Sequence, residues 1–213
     1  MRVTSGAYRS AAPVSKAAEI ARLILINGPP ASGKSTLARR YVADHDGAVL
    51  VEVDALRTTL PNWEQDEASR LVARDLAGAA VIEHLSAGRD VVMAQYFGRL
   101  GYIVVLDDLA AEHGATFVEV ILVTDAALAI DRFRARRRAM AGRGERHPER
   151  DIADEDVELF ILDAVDRLTR LPTARLESRL VPIALGATED ETYRRLLAVL
   201  GESAEPPASG RGE

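Results

Sequence analysis

The 213-residue chain contains no cysteine. That excludes disulfides, thiolate zinc sites, iron–sulfur clusters and a cysteine nucleophile. No apolar run approaches the ~18 residues of a membrane span, and residues 1–19 lack the apolar stretch of a signal peptide. The expectation is a soluble, cytoplasmic protein with no membrane partner. Aromatic residues make up only 5%, with one tryptophan, which speaks against a surface built to stack bases. An excess of positive charge is also missing. The 27 Lys+Arg face 33 Asp+Glu, for a net charge of −6, so nucleic acid would need a local basic patch. There is no internal repeat.

What is present reads as one globular domain. Apolar residues make up 47% and charged residues 28%, enough to bury a sizeable core. Residues 1–20 are small and mixed and are expected to form a flexible arm. Residues 202–213 hold Pro206, Pro207, Gly210 and Gly212 with little that is apolar, and are expected to be a disordered tail. The domain is therefore expected over residues 21–201.

Within it, short apolar runs alternate with helical patterns. Leu23-Ile24-Leu25-Ile26, residues 49–53, Val91-Val92-Met93, residues 117–123 and residues 180–185 are the five candidate strands. Between them, residues 65–87 carry Ala68, Leu71, Val72, Leu76, Ala79, Ile82 and Leu85 at the three–four spacing of one helix face. Residues 102–113, 154–171 and 192–200 read as further helices. Such alternation predicts an α/β fold with a mostly parallel sheet covered on both faces. Ligands of such sheets bind beyond the carboxyl ends of the strands.

Chemistry begins there. Gly28-Pro29-Pro30-Ala31-Ser32-Gly33-Lys34-Ser35 fits G-x-x-x-x-G-K-[ST] without a mismatch, after a strand and before a helix that begins around Thr36. The glycines allow the loop to turn its N–H groups inward as an anion nest, and the helix adds its positive end. Lys34 supplies a point charge for the β- and γ-phosphates, and the Ser35 hydroxyl is a ligand for Mg²⁺. ATP or another NTP with Mg²⁺ is the expected cofactor pair. The second run ends in Asp54-Ala55-Leu56-Arg57. Strand alternation puts Glu52 and Asp54 on one side. Asp54 can take the proton of an attacking hydroxyl, or merely cap a turn. Arg57 can hold an acceptor or face solvent.

Gly28 to Thr36 followed by Asp54-x-x-Arg57 resembles the small P-loop kinases: the zeta-toxin, chloramphenicol phosphotransferase, gluconate kinase and polynucleotide 5′-kinase group, with an AAA-type P-loop core. The likeness spans about residues 22–200. It implies a three-layer sandwich with a five-stranded sheet in the order 2-3-1-4-5. It also implies that Asp54 is the general base. One departure is Gln95, where many P-loop NTPases carry an acid for the magnesium shell. That leaves Ser35, the phosphates, water and Asp54 as the candidates for holding the metal. Gln95, Tyr96 and Arg99 would lie on the substrate side, with loop packing and a solvated face as their plainer alternatives. Thr124 or Asp125 would cap the next helix.

Residues 132–146 hold seven arginines, Arg132, Arg134, Arg136, Arg137, Arg138, Arg143 and Arg146, against one acid, Glu145. Arg132 and Arg136 share a helix face. Ala141-Gly142-Arg143-Gly144 reads as a hinge. The resemblance implies an arginine-rich lid over about residues 137–155. In it Arg132 would stack on the nucleotide base, Arg136, Arg143 and Arg146 would reach phosphate, and Ala187 would lie near the adenine edge. A charged surface helix and a nucleic-acid groove are the other readings of the cluster. His147 reads as a surface residue or else a lid contact, and Trp63 as a core or surface residue or else one beside the acceptor. The expected function is an ATP-dependent phosphotransferase acting on a hydroxyl of a nucleoside, sugar or antibiotic. A polynucleotide 5′-hydroxyl kinase is one alternative; a non-transferring nucleotide switch or slow NTPase is another.

Overall fold

The computed structural model describes residues 20–202 apart from Gln65, Glu145, Arg146, Pro148, Arg150 and Asp151. The expected N-terminal arm, nearly all of the expected tail, and Arg146 lie outside the described residues.

Five parallel strands form the sheet: β1 (Arg22–Asn27), β2 (Val49–Val51), β3 (Val91–Ala94), β4 (Thr116–Thr124) and β5 (Arg179–Ile183). Their spatial order is β2-β3-β1-β4-β5, the order that the family resemblance implied. The helices are α1 (Lys34–Asp44), α2 (Val53–Thr58), α3 (Ser69–Ser86), α4 (Leu100–Glu112), α5 (Ala126–Arg143), α6 (Val157–Ala174) and α7 (Glu189–Leu200). No helix among the described residues is long and apolar enough to cross a membrane.

Strand periodicity sorts the core into two layers. In β1, Leu23 and Leu25 face α3 and α4, together with Val91 and Met93. Ile24 and Ile26 face α1 and α7, together with Val92, Val118, Val120 and Leu122. A central strand buried on both faces needs an unbroken apolar run, and β1 has one from Leu23 to Ile26. A smaller cluster of Ala129, Phe133, Val157 and Ile161 joins α5 to α6.

Three local readings differ from the sequence expectation. The second strand stops at Val51, and Asp54 lies in the first turn of α2 rather than on a strand. There a carboxylate is favoured by the positive end of the helix. The face of α3 is also rotated. It buries Ser69, Ala73, Ala77, Val81 and Leu85, while Leu71, Val72, Leu76 and Ile82 stay exposed. Small residues allow the helix to approach the sheet closely, and that close approach outweighs the larger apolar stripe. Finally, α5 runs through Ala141 and Gly142 to Arg143 and ends at Gly144, so the expected hinge is helical for most of its length.

Two polar clusters fasten the sheet. At the amino end, Arg22 pairs with Asp90 and Glu202 (both 2.6 Å) and donates to the Tyr41 hydroxyl. At the carboxyl end of β1, Asn27 is fully buried yet makes four hydrogen bonds. Its Nδ2 donates to the Phe97 carbonyl (3.0 Å) and to Glu119 Oε1 (3.1 Å). Its Oδ1 accepts from the backbone N–H of Gly28 (2.9 Å) and of Phe97 (3.0 Å). Buried Glu119 also accepts from Ser178 (2.6 Å). The outer strand β5 carries Pro182 one residue before its end.

We predict that Asn27→Ala lowers the unfolding free energy by about 3 kcal/mol, because it strands buried backbone groups at both loops. A urea titration reads this directly, and a loss below about 1 kcal/mol would show that water or rearrangement replaces the amide.

Candidate active site

The phosphate loop runs from Gly28 to Lys34, between β1 and α1. Gly28 is needed for close approach: a Cβ there would lie 2.9 Å from Ser32 Oγ and 3.0 Å from Leu122 Cβ. Gly33, the residue before α1, has φ +95°, a conformation open mainly to glycine. No side chain caps α1, so its first N–H groups remain directed at the loop. The Ser32 hydroxyl is buried with no hydrogen-bond partner. An orphaned donor inside an anion nest fits a phosphate oxygen.

Lys34 is one of two lysines in the chain, the other being Lys16. Its Nζ donates to the Pro29 carbonyl (2.8 Å). Removal of the ammonium from water lowers its pKa from 10.5 to about 8, with Arg136 adding repulsion and Glu149 and Asp54 opposing the shift.

Two cavities lie on either side of the loop, and a third adjoins the first of them. The first, about 260 Å³, is the phosphate cleft. Lys34, Ser35, Glu52, Asp54, Gln95 and Arg136 are among the residues that line it. Gln95 Nε2 reaches Asp54 Oδ2 at 3.4 Å, while Gln95 Oε1 is buried without a partner. Arg136 donates to His147 Nε2 (2.9 Å) and pairs with Glu149 (3.3 Å). The second, about 160 Å³, lies on the other side of the loop among Ser32, Gly33, Thr36, Arg132, Ala187 and Thr188. One turn of α5 separates Arg132 from Arg136, so a single helix face spans both cavities. The third and largest, about 810 Å³, lies between the first turns of α3 and α4 and the middle of α6. Tyr96 lines both this cavity and the phosphate cleft and forms their shared wall. Burial raises the pKa of its phenol, with the Asp163 carboxylate adding to the rise.

The sequence candidates therefore separate. Ser35, Asp54, Gln95, Tyr96 and Arg136 gather with Lys34 at the cleft. Arg132 and Ala187 meet on the far side of the loop. Arg99 lines the largest cavity. Arg57 faces neither. It donates to Ser69 Oγ (2.8 Å) and the Trp63 carbonyl (3.2 Å), with its guanidinium over the Trp63 ring, and ties α2 to α3. Arg143 is exposed in the last turn of α5. Asp125 caps α5 by accepting from Ala127 N (2.9 Å) and Leu128 N (3.3 Å). Trp63 is buried.

Sequence reasoning did not single out Glu149 or the arginines Arg70, Arg74 and Arg167 of the largest cavity. Arg70 and Arg74 stand at i, i+4 on α3. That repeat was the one available signal.

A phosphate nest, a helix amino terminus and a strand order of 2-3-1-4-5 together define a P-loop nucleotide-binding domain of the kinase-like fold. A family model described as an AAA domain matches residues 23–155, more than half of the chain, and the chain belongs to that P-loop family. Comparison with curated proteins finds no match. Three solved structures show the same fold. A gluconokinase from Sinorhizobium meliloti 1021 aligns at TM-score 0.55 and 20% identity, over 85% of this chain and 93% of that one. A chain of the Pnkp1/Rnl/Hen1 RNA repair complex aligns at 0.60 and 18%, over 75% of this chain and 48% of that one. The tunicamycin resistance protein of Deinococcus radiodurans aligns at 0.56 and 17%, over 88% and 100%.

Nucleotide phosphates favour the charged form of Lys34, so binding should draw in a proton wherever the free lysine is partly neutral. We predict proton uptake on MgATP binding at pH 8.5, and affinity that falls as pH rises through and beyond about 8. Calorimetry in two buffers of different ionisation enthalpy measures the uptake. Equal heats in both would mean that the lysine is already fully charged before the nucleotide arrives.

Proposed function

We propose that the protein is an ATP-dependent phosphotransferase that moves the γ-phosphoryl group to a hydroxyl of a small molecule. The observation that carries this reading is the shared wall. The phosphate cleft lies beside a second cavity of about 810 Å³, and Tyr96 lines both. A hydrolase or switch has no use for a second cavity of that size; a kinase must seat an acceptor there. The kinase folds named above support the same reading by likeness of architecture.

In this mechanism the loop N–H groups and Lys34 hold the β- and γ-phosphates. Ser35 would hold Mg²⁺, which when bound spreads the negative charge of the phosphates. Asp54, at the cleft and in contact with Gln95, accepts the proton of the acceptor hydroxyl as its oxygen bonds to the γ-phosphorus. The bond from that phosphorus to the bridging oxygen breaks, and ADP leaves with the electron pair. Arg136 stabilises the charge on the transferring group, and Arg132 lies beside the nucleotide base. Arg132 and Arg136 of α5, which line the two cavities beside the loop, are the part of the lid that keeps water from the γ-phosphate.

Asp54→Asn should keep nucleotide binding while transfer falls by about 10²–10⁴. The test incubates the protein and Mg²⁺ with γ-labelled ATP and pooled nucleosides, sugars and aminoglycosides, then locates the label. Label on one acceptor, lost in Asp54→Asn, supports the proposal. Label found solely as free phosphate, equally with Asp54 and with Asn, would mean a nucleotide hydrolase instead.

A further inference from the structure

The largest cavity is unevenly charged for a protein whose net charge is −6. Four arginines line it: Arg70 and Arg74 from α3, Arg99 just before α4, and Arg167 from α6. Two acids line it as well, and each already has a partner. Glu67 pairs with Arg70, and Asp163 pairs with Arg167 at 2.6 Å. Arg74 and Arg99 form no ion pair among the described residues, although Asp163 also lies within the field of Arg99. Two positive charges are left over.

Their settings differ in a useful way. Arg74 is half-buried, and its guanidinium lies over the Phe97 ring (5.8 Å) and the Tyr102 ring (5.1 Å). Stacking fixes the plane and leaves the N–H edge free to meet an oxyanion side-on. Arg99 is exposed at the rim, where it can move to a ligand. The first turns of α3 and α4 face the same space, neither with a side-chain cap, and add to the positive field.

The rest of the lining excludes the alternative. A pocket for a neutral polyol needs interleaved donors and acceptors. The described residues around this cavity include no Asn, Gln, Ser or Thr, and their only side-chain acceptors besides two phenols are the paired acids. Apart from the Tyr96 hydroxyl, the uncommitted side-chain groups are cations.

We propose that the acceptor seated here carries, besides its hydroxyl, an anionic group, phosphate or carboxylate, and that Arg74 and Arg99 bind it. This rests on the phosphotransferase reading only in calling the occupant an acceptor; anion binding can be measured without any transfer.

The full chain, saturated with MgADP so that the phosphate loop is filled, would be titrated with ribose 5-phosphate, gluconate, ribose and glucose. Amide shifts of Gly98, Arg99 and Gly101 report on the cavity. Saturable shifts are expected with at least one anion and none with the neutral sugars. Saturation by ribose 5-phosphate alone names phosphate, and by gluconate alone names carboxylate. Arg99→Gln and Arg74→Gln should each weaken the binding about tenfold or more, while Arg194→Gln on α7 leaves it unchanged. Arg99 is exposed, so its variant keeps the test decisive even if Arg74→Gln disturbs the ring stack. Equal shifts with ribose and ribose 5-phosphate, no shift with any probe, or anion binding indifferent to Arg99→Gln would overturn the proposal. Anion binding together with failed phosphate transfer would retain this site and discard the kinase reading.

Discussion

Everything at the carboxyl edge of the sheet hangs on one buried amide. Asn27 closes β1, and with four hydrogen bonds it holds the first N–H of the phosphate loop, both backbone groups of Phe97, and the carboxylate of Glu119. A side chain with a donor and an acceptor at its end is required, because the groups it meets include both kinds. Aspartate would place a second carboxylate against buried Glu119, and leucine would leave the loop N–H unpaired at a cost of about 1–3 kcal/mol. The same residue thus sets the start of the nucleotide loop and the start of the Tyr96–Arg99 segment. The two sides of the candidate site are registered to each other through it.

The sheet was legible in the sequence because its signal is local and redundant. Short apolar runs, separated by helical spacing and led by a glycine-rich loop, constrain one another, and the family resemblance supplied the order. The face of α3 was not legible. Leu71, Val72, Leu76 and Ile82 form the more hydrophobic stripe, but Ala73 and Ala77 can approach the sheet where those side chains cannot. Periodicity finds the helix; steric fit chooses the face. Asn27 was missed for a related reason: before a Gly-Pro sequence, an asparagine looks like a turn former. Arg74, Arg99 and Arg167 come from three separate elements; Arg74 and Arg167 each read alone as a solvated surface charge, and only the family resemblance put Arg99 on the substrate side. Their convergence exists only in three dimensions.

The division between lysine and arginine is also physical. Within residues 20–202 every fixed cation except Lys34 is an arginine. Arginine keeps its charge under any burial found here, and its planar fork suits pairing and stacking, as in Arg22 with Asp90 and Arg57 with Trp63. Lysine is the cation whose charge can be tuned. The one position where burial draws the pKa down to about 8 is the one that bears it. Placing arginine at position 34 would supply the charge but in a wider, flatter head than a loop closed around a compact ammonium accepts.

Pro182 has a consequence outside the site. Parallel sheets end in strands whose outer backbone groups invite a further strand from another molecule. Here one rim is β5, five residues long with a proline among them that has no N–H to offer, and the other is β2, only three residues long. Neither rim offers the long unbroken row of donors and acceptors that a growing fibril extends. The chain can expose several leucines and valines on its helices and still resist the strand-by-strand stacking that turns a crowded solution into aggregate.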